Sequence, residues 1–75
     1  MADEKFQMTF MEARIVRLAS YRWNLPVEKI IDLFRKVDVL GYIETGFGIF
    51  HCEGDETVLD DVEKYLIRKG VNLNG

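Results

Sequence analysis

Apolar residues recur at alternating intervals of three and four along much of the chain, the spacing of one face of an α-helix. The first segment runs from about Gln7 to Trp23, and its stripe is Met8, Met11, Ile15, Leu18 and Arg22, widened by Ala19. The second segment follows Pro26, which suits a first helical turn because its φ is fixed. Its stripe is Val27, Ile30, Ile31, Phe34 and Val37. Two helices are therefore predicted, joined at Asn24-Leu25.

The third segment, Val39 to Cys52, is harder to assign. Its large apolar residues follow a 3,4,3 spacing that favours a helix: Leu40, Ile43, Phe47 and Phe50. Gly46 and Gly48 weaken a helix by roughly 1 kcal/mol each relative to Ala. Residues 48–52 could instead form a strand, although the sequence offers no obvious second strand to pair with it. We predict a helix, kinked or broken at the glycines, and keep the strand as the alternative.

A last helix is predicted after the polar loop at residues 53–56. Thr57 would be its N-cap, with Asp60 as the capping partner. Gly70 would end the helix in the left-handed conformation, with Val71 folding back on it. The apolar stripe is Val58, Val62, Tyr65 and Leu66. The expected fold is all-α: one compact domain over residues 1–75, with about four short helices and frayed ends at residues 1–6 and 72–75.

Size and composition limit the compartment and the class of protein. A chain of 75 residues forms one domain with a thin core, and small domains of this kind often gain stability from a partner or from self-association. Cys52 is the only cysteine, and the N-terminus lacks the apolar segment of a secretory signal. No apolar run approaches the roughly 20 residues that cross a bilayer. We therefore expect a cytoplasmic protein without membrane contact.

Charge is distributed unevenly along the chain. Residues 1–37 carry seven basic and five acidic side chains, a net charge of +2, and residues 38–75 carry three and eight, a net charge of −5. These values add up to the total of −3. The acidic half is expected to attract a basic protein. The predicted partner-binding residues are His51, Glu56, Asp60, Asp61 and Tyr65.

Nucleic-acid binding is the alternative. Basic side chains interleaved with aromatic ones can hold phosphates and bases, and the candidate residues are Arg14, Arg17, Arg22 and Arg35. The acidic total charge argues against this interpretation and makes nucleic acid the less expected partner.

His51-Cys52 could supply a base and a nucleophile, or metal ligands. Neighbours on a helix point about 100° apart, and a zinc site needs about four ligands. We therefore expect structural roles, with Cys52 as a small buried apolar residue, and no metal, cofactor or catalytic residue. A small enzyme or metal protein centred on His51 is the second rival.

Nine aromatic residues are many for so short a chain. Most should enter the core, and any exposed cluster of them would be a candidate interface, because aromatic side chains often anchor binding surfaces.

Several short motifs of the second half resemble a family of short bacterial proteins of unknown function. They are Gly41-Tyr42-Ile43, His51 with Gly54 three residues later, Val58-Leu59-Asp60-Asp61-Val62, and Tyr65-Leu66 followed by Arg68-Lys69-Gly70-Val71. The first helix and the start of the second are also similar. Two positions depart from the family pattern: Pro26 stands where Ser is common, and Phe50-His51-Cys52-Glu53 replaces a Leu-His-Thr stretch.

The resemblance implies a helical fold and a bacterial source. It also implies a gene neighbour that looks like an ADP-ribosyltransferase, and hence a toxin–antitoxin-like pairing. Together with the residues, it favours a non-enzymatic protein-interaction module. Such a module would be an antitoxin-like or regulatory partner of a basic, toxin-like protein, or would bind a second copy of itself.

Overall fold

Five helices form the described part of the chain, residues 3–73 of a computed structural model. They are α1 (Asp3–Trp23), α2 (Val27–Lys36), α3 (Val39–Thr45), α4 (Phe47–Phe50) and α5 (Asp55–Arg68). No strand occurs within residues 3–73, so the all-α prediction is confirmed and the strand alternative is wrong. α1 begins four residues before its predicted start, within the segment that was expected to fray. Of the predicted frayed ends, residues 1, 2, 74 and 75 lie outside the described residues.

The long helix α1 packs against α2, α3 and α5. Its buried stripe meets residues from every other helix in one continuous apolar cluster. The buried members are Met11, Ile15, Ala19, Ile30, Phe34, Val39, Ile43, Phe47, Phe50, Val58, Leu59, Val62 and Leu66. Burial of these side chains is the main favourable contribution to folding, at roughly 1.5–3 kcal/mol for each large one.

Gly46 divides the predicted third helix into α3 and α4, so residues 3–73 contain five helices where about four were expected. A Cβ atom at this position would lie 2.7 Å from Cε2 of Phe50, closer than side-chain atoms approach. The absence of a side chain therefore lets the Phe50 ring pack against the backbone and enter the core. The predicted break at a glycine is confirmed, and the glycine responsible is Gly46.

Of the two predictions made for the ends of α5, one is wrong and one is confirmed. The prediction of Thr57 as N-cap, with Asp60 as its partner, is wrong: α5 begins at Asp55, after Gly54. An acidic first turn suits the positive end of a helix dipole, which favours this earlier start. At the other end Gly70 has φ +85°, and Val71 N–H donates to the Leu66 carbonyl over 3.0 Å. The predicted left-handed ending, with the chain folding back, is confirmed.

Candidate docking groove

Ion pairs join the basic α1 to the acidic α5. Arg14 Nε lies 2.7 Å from Asp55 Oδ2. Arg22 Nη1 lies 2.7 Å from Asp60 Oδ1 and 3.3 Å from Glu63 Oε1. The hydrogen bond to Asp60 is the main reason that the pKa of Arg22 is raised further above its ordinary value. Three carboxylates of α5 are thus paired with two arginines of α1, and we call this contact the α1–α5 seam.

Two of the acids predicted to bind a partner lie at this seam. Asp60 is paired with Arg22, and Glu56 Oε1 lies 3.9 Å from Nη2 of the same arginine. Asp61 is half-buried and forms no ion pair with any described residue. The acidic surface is therefore smaller than the sequence charge suggests, and binding through it stays a prediction.

Tyr65 has an internal role. Its hydroxyl donates to the Val37 carbonyl over 2.6 Å, and its ring stacks on Tyr42 with centroids 4.3 Å apart. This side chain ties α5 to α3 and to the end of α2. Any use of Tyr65 by a partner would have to leave these contacts in place.

The four arginines of the nucleic-acid alternative are spread over different surfaces. Arg14 and Arg22 face α5, Arg17 is exposed on α1 at the border of the surface shared with α2 and α3, and Arg35 lies near the end of α2. Neither Arg17 nor Arg35 forms an ion pair with a described residue. The structure does not bring these side chains into one basic patch.

His51 and Cys52 lie in the turn after α4. His51 Nδ1 lies 2.8 Å from the Phe47 carbonyl, and Nε2 lies 3.5 Å from Cys52 Sγ. The prediction that the two side chains point apart is wrong, because the helix ends at Phe50. The prediction of a buried Cys52 is also wrong, because this thiol is exposed. His51 borders a shallow depression of about 320 Å³ with Phe10 and Arg14.

An apolar groove of about 460 Å³ opens between α1, α2 and α3. One wall is α1, and the other is formed by α2 and α3. The lining residues are Thr9, Glu12, Ala13, Val16, Arg17, Val27, Ile31 and Leu40. We call this surface the α1–α3 groove.

Three of the lining residues belong to the apolar stripes predicted from the sequence. Val27, Ile31 and Leu40 are nevertheless 42%, 38% and 36% exposed. On α2 the buried positions are Ile30 and Phe34, so Val27 and Ile31 lie at one edge of the apolar stripe. The exposed aliphatic surface therefore collects in one concave place, where a partner side chain could cover it.

A pair of carboxyl groups adds polar chemistry to the groove. Oε2 of Glu12 is buried and has no hydrogen-bond partner within the described residues. Burial raises the pKa of Glu12 from 4.5 to about 7, and a hydrogen bond and charge repulsion from Glu44 on α3 contribute to the rise. A hydrogen bond between two carboxyl groups requires that one of them hold a proton.

The model of a family described as a protein of unknown function, DUF3791, matches residues 9–69. The chain belongs to the DUF3791 family. The matched range contains all eight residues of the α1–α3 groove and both arginines of the α1–α5 seam. No curated protein and no solved structure matches the chain.

No helix in residues 3–73 is long and apolar enough to cross a membrane. No group of three or more metal-binding side chains occurs in the same part of the chain.

Glu12 was missed by sequence reasoning, since no motif identifies it. The stripe of residues 27, 30, 31 and 34 has the spacing of a single helix face, so the sequence does not show that Val27 and Ile31 would stay exposed beside the groove.

Proposed function

We propose that this DUF3791 protein is a non-enzymatic interaction module, whose α1–α3 groove binds an amphipathic helix of a basic protein partner. The supporting observation is the buried, unpartnered Oε2 of Glu12 within an apolar groove. Apolar side chains of the partner would cover the groove, and one Lys or Arg would reach the carboxyl pair.

The apolar contribution comes from Val27, Ile31 and Leu40. Each is more than one-third exposed in the free protein, so a partner can remove real apolar surface from water. On the α1 side the groove runs from Thr9 to Arg17, about 12 Å at 1.5 Å per residue. That length suits about two turns of a partner helix.

The polar contribution comes from Glu12 and Glu44. A Lys or Arg of the partner would donate a hydrogen bond to the unpartnered oxygen of Glu12. Its positive charge would then offset the repulsion between Glu12 and Glu44, as a proton on one of the two carboxyl groups does in the free protein. Hydrogen bonds between charged groups are about twice as strong as neutral ones. This chemistry selects a basic partner, the same class that the acidic sequence predicts.

The test is capture of a partner from the native host with matched variants. Ile31→Gln combined with Leu40→Gln makes the groove polar. Ile49→Gln combined with Ile67→Gln is the control, because these side chains are 68% and 59% exposed outside the groove. Circular dichroism would establish that both variants fold.

We expect a protein that binds the wild type and the control but not the groove variant. Its binding, repeated with purified partner, should be stronger at pH 8 than at pH 6, and Glu12→Gln should abolish that difference. A purified partner that binds the groove variant as tightly as the wild type would refute the proposal.

The family resemblance supplies a more specific version of the partner. In this version of the proposal, the protein is bacterial and cytoplasmic. Its partner is an ADP-ribosyltransferase-like product of the neighbouring gene, and the module regulates this partner as an antitoxin regulates a toxin. Co-expression of the two genes tests it: the two proteins should co-purify, and the groove variant should lose the complex. Two soluble proteins that purify separately would count against it.

Nucleic-acid binding has less support, since Arg14 and Arg22 are engaged with α5. A gel shift at low salt discriminates between the alternatives. Binding that disappears with Arg17→Ala and Arg35→Ala would favour this alternative over the groove.

A further inference from the structure

α1 has a second unpartnered surface, on the side opposite its buried stripe. Phe6 and Phe10 are each 61% exposed, and Tyr21 is 89% exposed. Ala13 and Arg17 lie between them and are also exposed. The spacing 4,3,4,4 places all five residues on one side of the helix. We call this surface the α1 outer face.

We propose that two copies of the chain associate through the α1 outer face, with the two α1 helices antiparallel about a two-fold axis beside Ala13. The proposal does not depend on the partner helix in the α1–α3 groove, because the three aromatic residues of the outer face lie outside that groove. Only Ala13 and Arg17, at the edge between the two surfaces, border both. The proposal identifies a second copy of this chain as the occupant of the exposed aromatic surface.

The order of residues on this face is complementary to itself. Phe10 lies three positions before Ala13 and Arg17 lies four positions after it, so an antiparallel pairing brings each Phe10 opposite Arg17 of the second copy. Phe6 lies seven positions before Ala13 and Tyr21 lies eight positions after it, so Phe6 of one copy also meets Tyr21 of the other. These pairs would lie roughly 5 Å and 11 Å from the axis at 1.5 Å per residue.

Each of these pairings is chemically favourable. A guanidinium over a phenyl ring is a cation–π contact, and Arg17 has no ion pair with a described residue that would compete. Phe6 and Tyr21 form an aromatic pair. Ala13 is small enough to let the helices approach closely at the crossing. A parallel arrangement would place Arg17 against Arg17, so the charge favours the antiparallel one.

The exposed area is sufficient for a weak, specific dimer. At roughly 200 Å² for each aromatic side chain, Phe6, Phe10 and Tyr21 expose on the order of 400 Å² in each copy. Two copies, together with Ala13 and Arg17, approach the lower end of specific interfaces, about 1,200 Å² in total. The dimer should therefore dissociate on dilution.

Sedimentation equilibrium over a wide concentration range tests the proposal. The wild type should approach twice the 8.8 kDa mass of the chain as its concentration rises. Phe10→Lys places a lysine opposite Arg17 of the second copy. Repulsion between the two cations and loss of the phenyl ring should raise the dissociation constant at least about tenfold. Arg17→Glu alone should also weaken the dimer, because it places a carboxylate against the Phe10 ring.

The combination of Phe10→Lys and Arg17→Glu is the decisive variant. The introduced lysine would meet the introduced glutamate of the second copy at two equivalent places, whereas within one helix these positions are two turns apart and cannot pair. We expect the double variant to recover most of the lost affinity. Ile67→Lys, at a 59% exposed position on α5, is the control and should dimerise like the wild type.

Three outcomes would overturn the proposal: a wild type that stays monomeric at every concentration, a dimer that Phe10→Lys leaves intact, or a double variant no tighter than the single ones. Circular dichroism of each variant would separate loss of the dimer from loss of the fold. The groove variant Ile31→Gln with Leu40→Gln should still dimerise, so the failure of one proposal does not imply the failure of the other.

Discussion

Replacing Glu12 by Gln should make the protein more stable at pH 8 and leave its stability almost unchanged at pH 4.5. In the folded protein the pKa of Glu12 is about 7, against an ordinary value of 4.5, mainly because the carboxyl group is buried. The folded state therefore holds the proton more tightly than the unfolded state. The contribution of Glu12 to the free energy of unfolding should therefore be greatest below pH 4.5 and should fall as the pH rises to about 7.

The size of the effect follows from the shift. A difference of about 2.5 pH units between 4.5 and 7 corresponds to at most about 3 kcal/mol. Part of the Glu12 side chain is in contact with water, which screens its charge. We therefore expect the wild type to lose about 1 kcal/mol relative to the Glu12→Gln variant between pH 4.5 and pH 8. Gln keeps the shape of the side chain and carries no charge, so the variant should avoid this loss.

Urea denaturation at several pH values measures the difference. Glu44→Gln should reduce the pH dependence as well, because it removes the charge that repels the Glu12 carboxylate. Glu28→Gln is a control with the opposite sign: this exposed carboxylate lies at the positive end of α2, and its loss should lower stability at pH 8 by a few tenths of a kcal/mol. A wild type and a Glu12→Gln variant with parallel pH profiles would refute the reasoning.

The remaining predictions concern the framework of the fold. Gly46→Ala should destabilise the protein by about 1–3 kcal/mol, because the new methyl group displaces the Phe50 ring. Gly48→Ala should be neutral or stabilising, because no atom lies within 4 Å of the added Cβ. Thermal melts of the two variants measure the difference, and equal losses of stability would contradict this account. Tyr65→Phe should cost about 1 kcal/mol in urea denaturation, because the Val37 carbonyl loses its donor; no change would show that water replaces the hydroxyl. Arg22→Ala should lower stability by about 1 kcal/mol at low salt and by less at high salt, and a loss independent of salt would indicate packing rather than charge.

Much of the helical architecture could be predicted, because apolar residues spaced three and four apart directly indicate a helix with one buried face. The buried stripe of α1 contains Met11, Ile15 and Ala19, as the periodicity indicates. Gly70 identified the end of α5, since a left-handed residue at a helix terminus is strongly associated with glycine. These signals are local, and a single sequence is enough to read them.

The start of α5 could not be predicted in the same way. Thr57 is a good N-cap by type, but helix starts depend on what the flanking residues contact. Asp55 is held by Arg14, 41 positions earlier in the chain. A contact between residues so far apart leaves no local mark in the sequence.

The same limitation explains the charge prediction. Sequence charge separates a basic first half from an acidic second half, and only the fold shows that α1 and α5 lie side by side. Arg22 then pairs with Asp60, which had been assigned to a partner, and Arg14 pairs with Asp55. Net charge along a chain therefore overstates the surface charge wherever oppositely charged helices pack together.

α1 is in contact with most of the molecule, and its four sides have different surroundings. One side enters the core, one pairs with α5 through Arg14 and Arg22, one lines the groove through Glu12 and Val16, and one faces solvent with Phe10. A helix of 21 residues in a chain of 75 can serve four surfaces because its side chains point in all directions about the axis. Substitutions at the centre of one side of α1 should consequently leave the other three intact. Stability, partner binding and self-association can thus be perturbed one at a time on a single helix, and this separation is what makes the groove and the outer face independently testable.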